Sequence, residues 1–236
     1  MFNWRKASQC NRQETESAES PAEKDAKMRE LRAAIGALTG RSLKFCSDSC
    51  IRLYLEARNC DVEQAKKMLE ETLKWRSTFK PEEIRWDEVA HIGETGKVSI
   101  ANFHDRQGRT VFIMRPGKQK TSSEEDFIRH LVYLMETAII NLPEGQEQLS
   151  WLVVKCFADP RSFHKVKFVY PNNKDSMKVM EAFFDSENLP KEFGGKAPLK
   201  YDHEEFSKLM IQEDIKTAKF WGFDDALHTA PMVVKS

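Results

Sequence analysis

The chain has 236 residues, and its 37 lysines and arginines balance 37 aspartates and glutamates, so the formal net charge is zero. That length fits one sizeable domain or one domain with a helical appendage, and the neutral balance argues against a partner as charged as nucleic acid. Apolar residues make up 40% of the chain, enough for a core, yet the longest apolar run, Leu131 to Leu142, is broken by Glu136 and Asn141 and falls short of the roughly 20 residues of a membrane span. Met1 to Arg5 leads into no apolar stretch of the secretory kind, and five scattered cysteines (Cys10, Cys46, Cys50, Cys60, Cys156) fit reduced thiols better than a disulfide framework. The expected compartment is the cytoplasm.

Residues 1–27 are rich in Ser, Glu, Gln and Ala, with only Phe2 and Trp4 as large core candidates, and read as a disordered lead. From Met28 to Phe79 the period is helical. Ser47 or Asp48 can cap a helix carrying Ile51, Tyr54 and Leu55, and Asp61 can cap a second whose apolar face is Val62, Ala65, Met68, Leu69 and Leu73. Pro81 ends this small bundle, residues 28–80, and a short helix follows over Glu82 to Val89.

The period then becomes that of strands. Val98–His104 and Thr110–Met114 flank Asp105, Arg106, Gln107 and Gly108, four turn-formers that predict a hairpin. Ser122 with Glu125 has the spacing of a capping box before a helix with Phe127, Leu131, Leu134 and Ala138 on one face and Ile128, Val132, Met135 and Ile139 beside it. So broad an apolar surface packs on a sheet, with His130 at the edge of the face. Leu149–Val154 is an almost uninterrupted apolar strand of the parallel kind, and Val166–Tyr170 is another. Pro171, Asn172 and Asn173 turn the chain into a helix bearing Met177, Met180, Phe183 and Phe184, closed by Leu189, Pro190, Gly194 and Gly195.

Several chemistries lack their residues. Gly93, Gly96 and Lys97 lack the spacing of a phosphate loop and read as a turn before a strand; no nucleophile elbow or HExxH pair occurs, and Cys46 and Cys50 have no second pair to complete a zinc site. No catalytic residue, metal or cofactor is expected. Lys165, Lys167, Lys174 and Lys178 form a modest basic cluster around a strand and a helix start, either a solvated face or a place for an anionic head group.

Five stretches in order carry a resemblance: Ile51–Arg58 (IRLYLEAR), Asp61–Ala65 (DVEQA), Leu73–Arg76 (LKWR), Gly108–Val111 (GRTV) and Glu187–Gly195 (ENLPKEFGG). Together they resemble the CRAL-TRIO family of lipid-binding and phosphatidylinositol transfer proteins, from about Met28 to Tyr201. The resemblance implies an α/β fold: an N-terminal helical bundle (28–80), then a CRAL-TRIO α/β sandwich (87–202) with a mixed or parallel sheet flooring a lipid pocket, then a C-terminal helix and tail (203–236). It implies a phospholipid ligand, transient contact with membranes and no enzymatic chemistry. Enclosure has a physical reason. Each methylene hidden from water is worth about 0.8 kcal/mol, so two acyl chains with on the order of thirty methylenes would forfeit roughly 20 kcal/mol if carried exposed.

One departure stands out. After Leu149–Val153 the family pattern continues through a crossover helix, a strand and a gate helix, whereas here Val154–Pro160 (VKCFADP) follows at once and resembles the end of that gate helix. Only Lys155 to Lys165 join the two apolar strands, Pro160 sits among them, and a parallel crossover needs about a dozen residues or more. The chain therefore reads as a shortened variant, as if an exon had been skipped, with an incomplete sheet whose uncovered edge invites self-association or a protein partner. By resemblance Arg58 anchors the helical module, Lys174 or Lys178 meets phosphate, and Phe183, Phe184 and Phe193 shape the cavity wall. The basic contact of the family's phosphatidylinositol binders is missing from Glu56–Asp61 (EARNCD). Impaired transfer is expected. Two other readings stay open: a carrier of an isoprenoid-like small hydrophobe, and a ligand-free interaction module.

Overall fold

The structure is a computed structural model that describes residues 20–115, 118, 123–142, 149–153, 169, 173–198 and 200–223. The chain divides into two units, Met1–Lys74 and Trp75–Ser236. The division falls inside one helix and not at its end near residue 80.

In the first unit, helix α1 (Pro21–Ile35) begins with Ser20 and Glu23 in a reciprocal capping box and Pro21 at the first helical position. The helix therefore reaches into residues 20–27, which the composition had assigned to the disordered lead; residues 1–19 lie outside the described residues. Short α2 (Gly40–Phe45) leads to α3 (Asp48–Glu56), whose N-cap is Ser47, accepting from the Cys50 amide at 3.2 Å. Asn59 and Cys60, both left-handed, turn the chain into α4 (Val62–Phe79), where the Gln64 amide donates to Asp61 at 2.9 Å. Leu31, Cys46, Ile51, Leu55, Ala65 and Leu69 form the core, so the periodicity of α3 and α4 faces inward as expected.

The second unit is an α/β layer structure. Residues expected as one short helix form a 3-10 turn (Pro81–Glu83) and then α5 (Trp86–Gly93), separated by extended Ile84 and Arg85. Strands β1 (Val98–His104) and β2 (Thr110–Met114) pair antiparallel with a bulge between Ile100 and His104. Helix α6 (Glu124–Ile140) crosses to β3 (Ser150–Val153), which pairs parallel to β2, with Phe112 opposite Trp151 and Ile113 opposite Leu152. The sheet is mixed, in the order β1-β2-β3 among the described residues. The expected strand Val166–Tyr170 lies outside the described residues apart from Val169, as do the Val154–Lys165 link and Lys165 and Lys167.

Consecutive residues of β2 serve opposite faces. Phe112 joins Trp86, Val98, Tyr133, Leu134, Phe206 and Met210 under α5, α6 and α8 (His203–Trp221). Val111 and Ile113 join Leu152, Met180, Phe184 and Leu189 under α7 (Lys174–Phe183). The C-terminal helix, expected as a piece beyond residue 202, is thus part of this core. Its Asp214 is the reason: the buried carboxylate accepts from the Trp86 amide, at the start of α5, at 2.8 Å and from the Tyr133 hydroxyl of α6 at 2.9 Å. Burial raises the pKa of Asp214 against these two bonds, which favour its charged form.

Two details of α6 differ from the sequence expectation. Its N-cap is Ser123, accepting from the Asp126 amide at 3.0 Å, one residue after the anticipated Ser122, which lies outside the described residues. Its buried face is His130, Tyr133, Leu134, Thr137 and Ala138, while Ile128 and Ile139 are exposed. His130, expected at the face edge, is wholly buried against the Trp86 ring at 6.0 Å between centroids. Burial, with His203 and His91 nearby, pushes its pKa down to about 4, so the ring is neutral at pH 7 and packs as an aromatic.

The hairpin turn has its own hub. Asp105 accepts from the amides of Gln107 and Arg109, from Arg109 Nε at 2.6 Å and from the Ser150 hydroxyl of β3 at 2.6 Å. Burial alone would raise its pKa, but these bonds outweigh burial and hold it below the usual carboxylate range. A depressed folded pKa contributes stability that is complete above the unfolded value, about 3.9, and is lost as pH falls through the folded value. Asp105→Asn should therefore cost about 2 kcal/mol in urea unfolding at pH 7, with the gap to the parent chain closing as the pH is lowered below 4. A gap that stays constant down to pH 2.5 would contradict this account.

Candidate functional site

The face of the sheet beneath α7 gathers the apolar residues singled out from the sequence. Asn173 caps α7, accepting from the amides of Asp175 and Ser176 at 2.9 and 3.1 Å, and the 3.6 period then turns Met180 into the sheet with Met177 beside it. Phe183 and Phe184 follow, and Phe184 lies 6.5 Å from Phe103 of β1 in an edge arrangement. Phe193 arrives from a 3-10 turn, Lys191–Phe193, that packs on the same layer. All three phenylalanines proposed as wall residues thus share one layer, joined by two thioethers that adapt readily to neighbouring shapes.

Polar contacts fix this layer at both ends of the hairpin. At the tip, the Arg106 amide donates to the Phe183 carbonyl at 2.8 Å and Arg106 Nε to the Glu181 carbonyl at 2.9 Å, tying the turn to the end of α7. At the far end of β2, buried Arg115 binds both carboxylate oxygens of Glu192 through Nε at 3.0 Å and one of them again through Nη2. Its Nη1 donates to the Gly96 carbonyl at 3.4 Å. Sequence reasoning did not give Arg106, Arg115 and Glu192 these clamping roles. The Leu-Pro-x-Glu-Phe-Gly-Gly string contained Glu192, but nothing local points to a partner 77 residues away.

The glycines after Phe193 have steric reasons. Gly194 is left-handed at φ 85°, and a Cβ on Gly195 would overlap the Leu189 carbonyl, whose oxygen accepts from the Ala197 amide at 3.0 Å as the loop folds back.

The basic residues fall elsewhere. Lys174 and Lys178 are exposed at the start of α7, and Lys178 pairs with Asp175 at 2.9 Å. Arg58, in the first unit, is exposed and donates to the Ala57 carbonyl at 3.1 Å. Two hollows among the described residues lie outside the layer under α7. One, in the first unit beside Met28 and Leu55, is about 10 Å³, room for a water at most. The other is a cleft of about 390 Å³ near Arg115. Among the described residues no helix is long and apolar enough to cross a membrane.

A mixed sheet between helical layers, one layer a short Met- and Phe-rich helix, defines an α/β domain with apolar surface on both sheet faces. Residues 93–153, from the end of α5 through β3, match the family model of the CRAL/TRIO domain. The match ends at Val153, where the resemblance had placed the break. The chain is similar to a CRAL-TRIO domain-containing protein of Schizosaccharomyces pombe (36% identity over 104 residues, 44% of this chain and 10% of that protein). It is also similar to the phosphatidylinositol transfer protein PDR17 of Saccharomyces cerevisiae (34% over 122 residues, 48% of this chain and 35% of that protein). Patellin-3 of Arabidopsis thaliana is 30% identical over 107 residues, 41% of this chain and 21% of that protein. The aligned part therefore spans about a third or less of each curated relative.

The loop sterics give a direct test. Gly195→Ala should lower stability by about 2 kcal/mol in denaturant unfolding, since backbone and not a flexible side chain blocks the new methyl group. An alanine variant as stable as the parent would refute the packing of this loop.

Proposed function

We propose that the chain is a lipid-binding protein of the CRAL-TRIO type, taking phosphatidylinositol or another phospholipid into the layer between α7 and the sheet. The observation that carries this reading is the layer's composition. Met177, Met180, Phe183, Phe184 and Phe193 lie over Val111, Ile113 and Leu152, with ten-residue α7 and the loop after it as cover among the described residues. Such a surface can part to admit acyl chains, because thioethers and rings change rotamer without leaving a polar group unpaired. The match to the CRAL/TRIO model and the phosphatidylinositol transfer activity named for one relative support the same ligand class.

In this reading Phe183, Phe184 and Phe193 wall the bound chains and Lys174 or Lys178 meets the phosphate from the exposed start of α7. Arg58 anchors the helical module. The protein works in the cytoplasm and touches membranes transiently, without enzymatic chemistry. Loss of the segment after Val153 removes part of the enclosure, so transfer is slower than in a full-length relative. A second reading, a ligand-free interaction module, draws on β3: it is the outer strand among the described residues, and its Trp151, stacked on Phe112 at 4.6 Å, is 39% exposed.

Native mass spectrometry of the purified chain, followed by denaturing extraction, should find one phospholipid per protein. Met177→Ala with Phe183→Ala, both at half-buried positions, should reduce the loaded fraction at least about threefold while the chain stays folded. A folded, monomeric chain that carries no lipid and takes none from labelled vesicles would sink the proposal; a lipid-free dimer or heteromer would favour the second reading.

A further inference from the structure

The cleft at the C-terminal end of β2 is not used by the lipid reading. It is lined by Arg115, Lys118, Lys191, Glu192, Lys200 and Tyr201, four cations and one carboxylate, an excess of three positive charges in a chain whose formal net charge is zero. The single carboxylate is committed to Arg115, which is buried and also held to the Gly96 carbonyl. Tyr201 is committed as well, its hydroxyl donating to the Gly93 carbonyl at 2.7 Å. Lys118, Lys191 and Lys200 are exposed, and none pairs with a carboxylate among the described residues.

Several other lysines of the second unit are paired. Lys178, Lys196, Lys208 and Lys216 each sit within 2.9 Å of an aspartate or glutamate oxygen. The three cleft lysines come from two separated stretches, one after β2 and one in the loop after α7, and the Arg115–Glu192 pair holds those stretches together. Like charges brought to one concavity repel unless an anion answers them, and a cleft of about 390 Å³ has room for a phosphate ester with its immediate carrier group.

We propose that this cleft binds a doubly charged phosphate group, through the ammonium groups of Lys118, Lys191 and Lys200 arranged around the Arg115–Glu192 pair. The lining contains neither Lys174 nor Lys178, so the site uses different residues from the head-group role given to those two lysines. The phosphate can belong to a soluble ester or to a phosphorylated lipid head group, and the same chemistry serves both.

The test uses the full chain and inorganic pyrophosphate, followed by backbone amide NMR at low salt. Shifts should concentrate at Lys118, Lys191 and Lys200, and Lys191→Gln with Lys200→Gln should weaken binding about tenfold. Lys67→Gln with Lys208→Gln removes the same charge elsewhere and should leave affinity within about twofold, which separates a site from general electrostatics. Flotation with phosphatidylcholine vesicles containing a phosphatidylinositol monophosphate then identifies the source. Co-flotation lost in the Lys191/Lys200 double variant assigns a lipid head group, and pyrophosphate binding without co-flotation assigns a soluble ester. No saturable shift with pyrophosphate, or equal weakening by both double variants, overturns the proposal. Pyrophosphate has no acyl chain, so this result is independent of whether the layer under α7 holds lipid.

Discussion

A strand with both faces buried must be covered twice, and β2 imposes that requirement on the second unit. Val111 and Phe112 are adjacent, point to opposite faces, and are both wholly inaccessible. Phe112 has three helices over it, drawn together by Asp214 of α8, which bonds the first amide of α5 and the Tyr133 hydroxyl of α6. Val111 has α7 and the loop that follows it. The two covers differ in kind. One is cross-linked by a buried carboxylate; the other is a short helix with mostly apolar contacts to the sheet, secured by polar bonds only at its margins.

Those marginal bonds make the thinner cover specific. Arg106 at the hairpin tip holds the end of α7, and Arg115 at the other end of β2 holds Glu192 in the loop beyond it. Asp105 in turn fixes the hairpin tip to β3 through Ser150. The apolar layer is thus framed by charge-assisted bonds at both ends of one strand, and its interior contains groups that can move without breaking any of them. A site that must open for an apolar ligand and close again needs that division between a fixed frame and an adaptable filling.

Local signals were legible in the sequence wherever they were covalently local. The hairpin was readable because Asp105 to Gly108 lie between two alternating runs, and the caps at Ser47 and Asp61 because the accepting side chain precedes the helix by one residue. The start of α6 was misplaced by one residue because Ser122–Glu125 and Ser123–Asp126 satisfy the same spacing, and only the hydrogen bond to Ser123 distinguishes them. His130 is expected at the edge of the face; burial against Trp86 neutralises the ring. The depth of α8 in the core was hidden too. Glu213 and Asp214 are mid-helix carboxylates, yet both are buried, and Asp214 finds its partners more than 80 residues away. Of the candidate site, the phenylalanines were legible from period and motif, whereas Arg115 and its partner required the tertiary fold.

The chain has equal numbers of cations and anions, yet the lining at one end of β2 carries four cations against one carboxylate. The cleft is a consequence of the same pair that clamps the loop. Glu192 satisfies Arg115, which leaves no carboxylate in that lining for Lys118, Lys191 and Lys200. Converting Glu192 to a neutral residue would loosen the clamp and add a fourth unanswered charge, so the positive field and the rigid frame around the apolar layer are not independent properties of this fold.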